Sequence, residues 1–90
     1  MIRIELGNPF PNPARSNFYI YYRVSGENPE APAPRLLLLD QSGKIVYTQV
    51  LDEMMGEVNV TPQQLASGAY YVRIDYNGLS SAMSRVNLSF

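Results

Sequence analysis

The chain contains no cysteine, no histidine and no tryptophan among its 90 residues. Without cysteine it cannot form a disulfide bond, a thiolate nucleophile or a cysteine-ligated metal site. Without histidine it lacks the commonest general base, the commonest transition-metal ligand and every catalytic triad built on imidazole. A pair of carboxylates is the main catalytic arrangement that remains, so we expect neither an enzyme nor a bound cofactor.

The chain also lacks an excess of charge of either sign. Seven Lys and Arg residues nearly balance eight Asp and Glu residues, for a net charge of −1. This balance argues against electrostatic binding to nucleic acid or to an anionic membrane surface. Arg3 and Glu5 interrupt the apolar N-terminal stretch, which is therefore not a signal peptide. No run approaches the roughly 18 apolar residues of a membrane span. We expect the chain to be the tail of a larger protein.

Apolar residues make up 46% of the chain, enough for one domain with a core. They recur with a period of two, which is typical of strands with one buried face. The alternation predicts seven short strands, in segments 2–6, 17–24, 35–40, 44–51, 57–60, 69–76 and 82–90. A single helical turn is predicted at 61–65, with Thr61 as N-cap and Pro62 at the first helical position.

Turn residues separate these strands. Asp40 followed by Gly43 predicts a turn closed by the Asp side chain, and Asn77-Gly78 predicts a type I′ hairpin turn. Three prolines predict that segment 7–13 is extended, polyproline-like or a turn, and the composition of segment 25–34 predicts a solvated, proline-rich loop. Seven strands in about 90 residues favour an antiparallel, immunoglobulin-like β-sandwich, with a small closed barrel as the alternative.

Tyrosines and carboxylates are the remaining candidates for a site. Alternation turns Tyr22, Tyr70 and Tyr76 inward, where each hydroxyl needs a partner. Outward aromatic side chains can mark a contact surface, or reflect strand propensity alone. The outward set is Tyr19, Tyr21 and Tyr71. The only acidic cluster does not fit a calcium loop, so we expect solvated charges and no metal site; it consists of Asp40, Asp52, Glu53 and Glu57.

Three motifs in order along the chain go beyond this pattern. The first is Pro11-Asn12-Pro13 ahead of a long aromatic strand, the second is Gly43-Lys44 after an apolar strand and an Asp turn, and the third combines Leu65, Gly68 and Tyr70. Together they resemble the C-terminal sorting domains of the type IX secretion system. The resemblance divides the chain into a linker with a first short strand, 1–13, and the sorting domain, 14–90.

The resemblance implies a non-catalytic signal fused behind a cargo protein. The cargo would cross the periplasm and reach the cell surface or the medium. The implied partners are the outer-membrane translocon, its shuttle and a sortase; a dimer has no support from the sequence. We expect recognition at the last strand, through a partly paired edge open to a partner strand; its residues are Arg85, Val86, Asn87, Leu88, Ser89 and Phe90. The alternative is a FlgD-like immunoglobulin-like spacer or adhesion module.

Overall fold

The computed structural model describes residues 1–26 and 28–90, and their regular structure consists of strands alone. Each of the seven predicted strands is present, with its ends within two residues of the prediction. One further two-residue strand brings the total in these residues to eight. The strands are β1 (Arg3–Leu6), β2 (Phe18–Ser25), β3 (Arg35–Leu39), β4 (Ile45–Val50), β5 (Met55–Val60), β6 (Gly68–Tyr76), β7 (Leu79–Ser80) and β8 (Ser84–Leu88).

The strands form two antiparallel sheets. The smaller sheet has the order β1-β2-β5, and the larger has the order β4-β3-β6-β7 with β8 also paired to β6. Strands β7 and β8 share one side of β6, since β7 pairs with its last two residues and β8 with its first five. The four lateral edges are therefore β1 and β5 in one sheet, and β4 and the β7–β8 pair in the other.

A single hydrophobic core lies between the two sheets. Alternate residues of β2, beginning with Phe18 and Ile20, point into it, and so do Leu36 and Leu38 of β3. Strand β3, which contains four consecutive leucines, lies between β4 and β6 in the larger sheet. The other two leucines, Leu37 and Leu39, are also buried but do not belong to the core cluster.

The extra strand β7 has no counterpart among the predicted strands: it lies ahead of the predicted final strand, 82–90, and ends just before Ser81. Ser81 is buried; its N–H donates to the Ile74 carbonyl at 2.8 Å, and its hydroxyl accepts from the Ile74 N–H at 2.9 Å. The side chain thus replaces a main-chain acceptor opposite β6, and the strand resumes only at Ser84. The pairing along this side of β6 is consequently divided between β7 and β8.

The turn between β3 and β4 has the predicted chemistry. One Asp40 carboxylate oxygen accepts from the Ser42 hydroxyl at 2.6 Å, the Ser42 N–H at 2.9 Å and the Lys44 N–H at 3.0 Å. These bonds, first that from the Ser42 hydroxyl, hold the pKa of Asp40 below its usual value. Gly43 has φ 87°, as the turn requires. The type I′ turn is also confirmed, with φ 51° at Asn77 and 78° at Gly78.

The prediction of a helical turn at 61–65 is wrong. No residue of this segment is helical, and Gln64 has φ 61°, which a right-handed helical turn does not allow. Pro62 is buried and Leu65 packs against the core. These tertiary contacts override the local preference of a Thr-Pro start, which is a weak determinant over so few residues.

Candidate functional site

The side chains of the last strand divide between the core and the surface. Val86 and Leu88 are buried at 0% and 3% exposure, whereas Arg85, Ser89 and Phe90 are exposed. The alternating pattern predicts Val86, Leu88 and Phe90 inward; it is right for Val86 and Leu88 and wrong for Phe90, which lies beyond the end of β8 at Leu88 and is 57% exposed. On the inner side β8 pairs with residues 68–72 of β6. Only part of the predicted recognition segment is therefore accessible to a partner through its side chains.

The outer edge of β8 is not open, contrary to expectation. Ala14 donates its N–H to the Asn87 carbonyl and accepts from the Ser89 N–H, both at 2.8 Å. Asn12 covers the preceding residues: its side-chain oxygen accepts from the Asn87 N–H at 2.8 Å and its side-chain NH₂ donates to the Arg85 carbonyl at 3.2 Å. Four hydrogen bonds thus occupy an edge that a partner strand would need.

The central residue of the Pro11-Asn12-Pro13 motif acts here as a substitute peptide group. Both prolines lack a main-chain N–H, so their backbone cannot continue a ladder beside β8. The Asn12 side chain supplies one donor and one acceptor, the same pair that a strand residue offers. The sequence did not predict this structural role, because the prolines of segment 7–13 indicated only an extended, polyproline-like or turn segment.

Segment 7–14 connects the two sheets along this side of the domain. Gly7 N–H donates to the Tyr21 carbonyl at 2.8 Å, and Phe10 exchanges hydrogen bonds with Tyr19 at 2.8 and 2.9 Å. The segment then reaches β8 at Ala14, and the Ser84 hydroxyl donates to the Gly7 carbonyl at 2.7 Å. The segment has no regular strand and bends at 11–13, within the predicted choice of extended or turn structure, and it closes the lateral side between β1 and β8.

The Leu65, Gly68 and Tyr70 motif supports the other end of the same strand. The buried Tyr70 donates its hydroxyl proton to the Ala66 carbonyl at 2.6 Å, which closes the connection before β6. Gly68 has φ 153° and lies opposite Leu88 in the ladder. The Ser67 hydroxyl accepts from the Phe90 N–H at 2.9 Å. The first and third motifs therefore meet at β8.

Gly43 and Lys44 lie away from this site, at the turn that begins β4 on the opposite edge of the larger sheet. Their motif shapes a hairpin and makes no contact with the last strand among the hydrogen bonds of the described residues.

The inward tyrosines have the hydroxyl partners that burial requires. Tyr22 donates to the Glu53 carbonyl, and burial, then the nearby Glu53 and Asp52 carboxylates, raise the pKa of its hydroxyl. Tyr76 donates to the Asn28 carbonyl and accepts from the Asn28 N–H, both at 3.0 Å. These bonds anchor the loop predicted at 25–34, of which Glu27 lies outside the described residues. Tyr19 and Tyr21 are exposed, and Tyr19 stacks on Phe10 with ring centroids 5.7 Å apart.

The four acidic residues do not form one cluster. Asp40 belongs to the β3–β4 turn, while Asp52, Glu53 and Glu57 line a groove between β4 and β5. Within the described part of the chain no group of three or more acidic residues could hold a metal ion. Within the same residues no helix is long and apolar enough to cross a membrane.

The domain is thus an all-β module in which two of the three motifs secure the final strand, one from each side. A family model, described as the secretion system C-terminal sorting domain, matches residues 8–86. The chain belongs to this family, the sorting domains of type IX secretion, which confirms the resemblance. No curated protein and no solved structure matches the chain.

The Asn12 bridge can be tested with an isosteric substitution. In Asn12→Asp the carboxylate still accepts from the Asn87 N–H but cannot donate to the Arg85 carbonyl. We expect the free energy of unfolding, measured by urea denaturation at neutral pH, to fall by about 1–2 kcal/mol.

Asn8→Asp is the matched control. Asn8 is an exposed residue of the same segment, and its substitution adds the same negative charge. We expect it to alter stability by less than about 0.5 kcal/mol. Equal stability of the two variants would show that the Asn12 bridge contributes nothing.

Proposed function

We propose that this chain is a non-catalytic sorting signal that directs a cargo protein fused upstream of it through the type IX secretion system. The cargo crosses the periplasm and is passed by the outer-membrane translocon and its shuttle to the cell surface or the medium, where a sortase acts on it. The family match over residues 8–86 carries this proposal. That family is generally non-catalytic and implies export, and it does not favour the FlgD-like spacer.

An immunoglobulin-like sandwich is the fold that we assign to the signal. Supporting this, two antiparallel sheets share one core, and β7 and β8 lie in succession along the same side of β6, as two halves of one interrupted strand would. With the pair counted once, residues 1–26 and 28–90 form seven strands, a number that supports this architecture. The division into a linker, 1–13, and a sorting domain, 14–90, stays a prediction, although β1 already pairs with β2.

For recognition at residues 85–90, the mode with the best support is binding of the secretion machinery to exposed side chains of the folded domain. The edge of β8 is occupied by Asn12 and Ala14, so a partner strand would first have to displace them. Arg85 and Phe90 are exposed beside this edge, and Phe90 exposes 57% of its surface. A cationic and an aromatic side chain are the kinds of residue that dominate protein contacts.

An export assay separates this recognition from folding. Residues 1–90 are fused to a periplasmic reporter in a strain with a functional type IX system, and surface display of the reporter is measured. We expect the double variant Arg85→Glu, Phe90→Ala to lower display about tenfold, the loss that 1.4 kcal/mol of binding energy produces. Thermal denaturation of the purified variant should show an intact fold.

The matched control is Arg23→Glu with Tyr21→Ala, which changes the same residue types at exposed positions of β2. Its display should equal that of the unaltered domain. If the two double variants are displayed equally well, residues 85–90 are not the recognition surface.

A further inference from the structure

The two lateral sides of the sandwich differ in how they are closed. Segment 7–14 covers the side between β1 and β8. On the other side β4 and β5 are the end strands of their sheets, and a groove of about 390 Å³ lies between them. Residues 51–53, where the chain passes from β4 to β5, line one end of this groove.

The outer edge of β4 presents unpaired main-chain groups. Leu51 N–H donates to the Pro34 carbonyl at 2.9 Å. This bond identifies which residues of β4 direct their main-chain groups toward β3. Because bonded residues alternate in an antiparallel pair, Gln49 bonds toward β3, whereas Thr48 and Val50 direct their N–H and C=O groups outward. No strand of the described chain pairs with this side of β4.

Strand β4 also lacks the features that protect the other edges. Its sequence, Ile-Val-Tyr-Thr-Gln-Val, has no charged residue and no proline. By contrast β1 has four residues, two of them charged, β5 contains Glu57, β7 has only two residues, and β8 is covered by Asn12 and Ala14. A register shift opposite Leu38 and Leu39 affects the start of β4 and leaves Thr48 and Val50 in regular pairing. Such an edge is a template for a further strand.

The groove beside this edge is acidic. Asp52, Glu53 and Glu57 line it, and its lining contains no Lys or Arg. The ion pairs found among residues 1–26 and 28–90 involve none of the three carboxylates. The connection that carries two of them is fixed by the bond from the Tyr22 hydroxyl to the Glu53 carbonyl and by the bond from Val24 N–H to the Met54 carbonyl at 2.6 Å.

We propose that the free edge of β4 binds an extended, basic segment of a partner protein, which adds as an outer strand and places Lys or Arg side chains in the acidic groove. Side chains of an added strand alternate between its two faces. One face would meet the carboxylates, and the other would lie beside Val50, which is 58% exposed. The segment therefore alternates basic with β-branched or other apolar residues. This binding surface excludes residues 85–90 and does not depend on the proposed export role.

Charge selects this occupant over a second copy of the chain. A second β4 offers no cation of its own, and the flanking Lys44 is a single charge against three carboxylates. The second copy would also bring its own Asp52, Glu53 and Glu57 to the interface. Like charges brought together in this way oppose pairing.

The test is an NMR titration of the isotopically labelled 90-residue chain at low ionic strength with a synthetic peptide of about seven residues in which lysine alternates with valine. We expect chemical-shift changes centred on the amides of Thr48 and Val50 and slower hydrogen exchange at both. The counterpart that alternates glutamate with valine should not bind. A lysine peptide with N-methylated main-chain amides keeps its charge but cannot form a ladder, and it should not bind either.

Paired variants test the role of charge. Glu53→Gln with Glu57→Gln should lower the affinity for the lysine peptide about tenfold. Glu5→Gln with Glu30→Gln, the same change elsewhere on the surface, should leave that affinity unchanged. Absence of shifts at Thr48 and Val50 at about 1 mM peptide would overturn the proposal. So would equal binding of the glutamate or the N-methylated peptide, and so would self-association of the chain through β4 without peptide, which would make a second copy the occupant.

Discussion

Deletion of residues 86–90 is expected to unfold the domain rather than merely remove a recognition signal. Val86 and Leu88 are buried in the core, and each buried side chain of this size contributes about 1.5–3 kcal/mol. The deletion also removes most of the pairing with β6 and the bonds to Asn12 and Ala14 that involve Asn87 and Ser89. A 90-residue domain has a total stability of about 5–13 kcal/mol, so the combined loss is comparable to the whole.

The measurement is urea denaturation followed by circular dichroism on the chain 1–85. We expect no cooperative transition. The control is deletion of Phe90 alone, an exposed residue whose N–H bonds to the Ser67 hydroxyl, and this chain should keep its transition. A cooperative transition in the chain 1–85 would contradict the expected role of the last strand in the fold. Loss of export after the longer deletion would therefore report unfolding, which is why surface substitutions are the better test of recognition.

The strands could be predicted because each has one face in the core and one in solvent. In β2, Phe18 and Ile20 are buried and Tyr19 and Tyr21 are exposed, so period-two alternation locates the strand and its inward face. The same pattern is right for Val86 and Leu88 and fails at Phe90, because the strand ends at Leu88 before the alternation does. The turns could also be predicted from their residues. Asp40 and Asn77-Gly78 act through hydrogen bonds and φ values that are local in the sequence.

Which edge of the fold is covered could not be predicted in this way. The two bonds of the Asn12 side chain reach residues 73 and 75 positions away, and no periodic pattern relates them. The interruption at Ser81 has the same origin, because a side-chain hydroxyl takes the place of a main-chain group. Hydrophobic alternation describes side-chain burial and carries no information about how main-chain groups at an edge are satisfied. The expectation of an open edge at β8 was consequently wrong, and recognition at residues 85–90 stays a prediction.

Gly68→Val is expected to destabilise the domain by about 2–3 kcal/mol through backbone strain. Gly68 has φ 153°, a conformation that β-branched residues strongly disfavour, while a Cβ at this position would meet no atom within 4 Å. The cost therefore comes from the main chain and not from a clash. For a domain of this size it corresponds to a melting temperature lower by about 10–20 °C, which thermal denaturation measures.

Gly68→Ala and Gly7→Ala separate strain from the general effect of replacing a glycine. Gly7 lacks a positive φ, and its added Cβ would meet the Tyr21 carbonyl oxygen at 3.4 Å, so alanine is tolerated there. Gly68→Ala should be the less stable of the two, and equal stability would refute strain at Gly68. Export provides a second readout: Gly68→Val should lose display only as the temperature approaches its melting transition. Arg85→Glu with Phe90→Ala should lose display at every temperature, because its defect lies in binding to the machinery and not in folding.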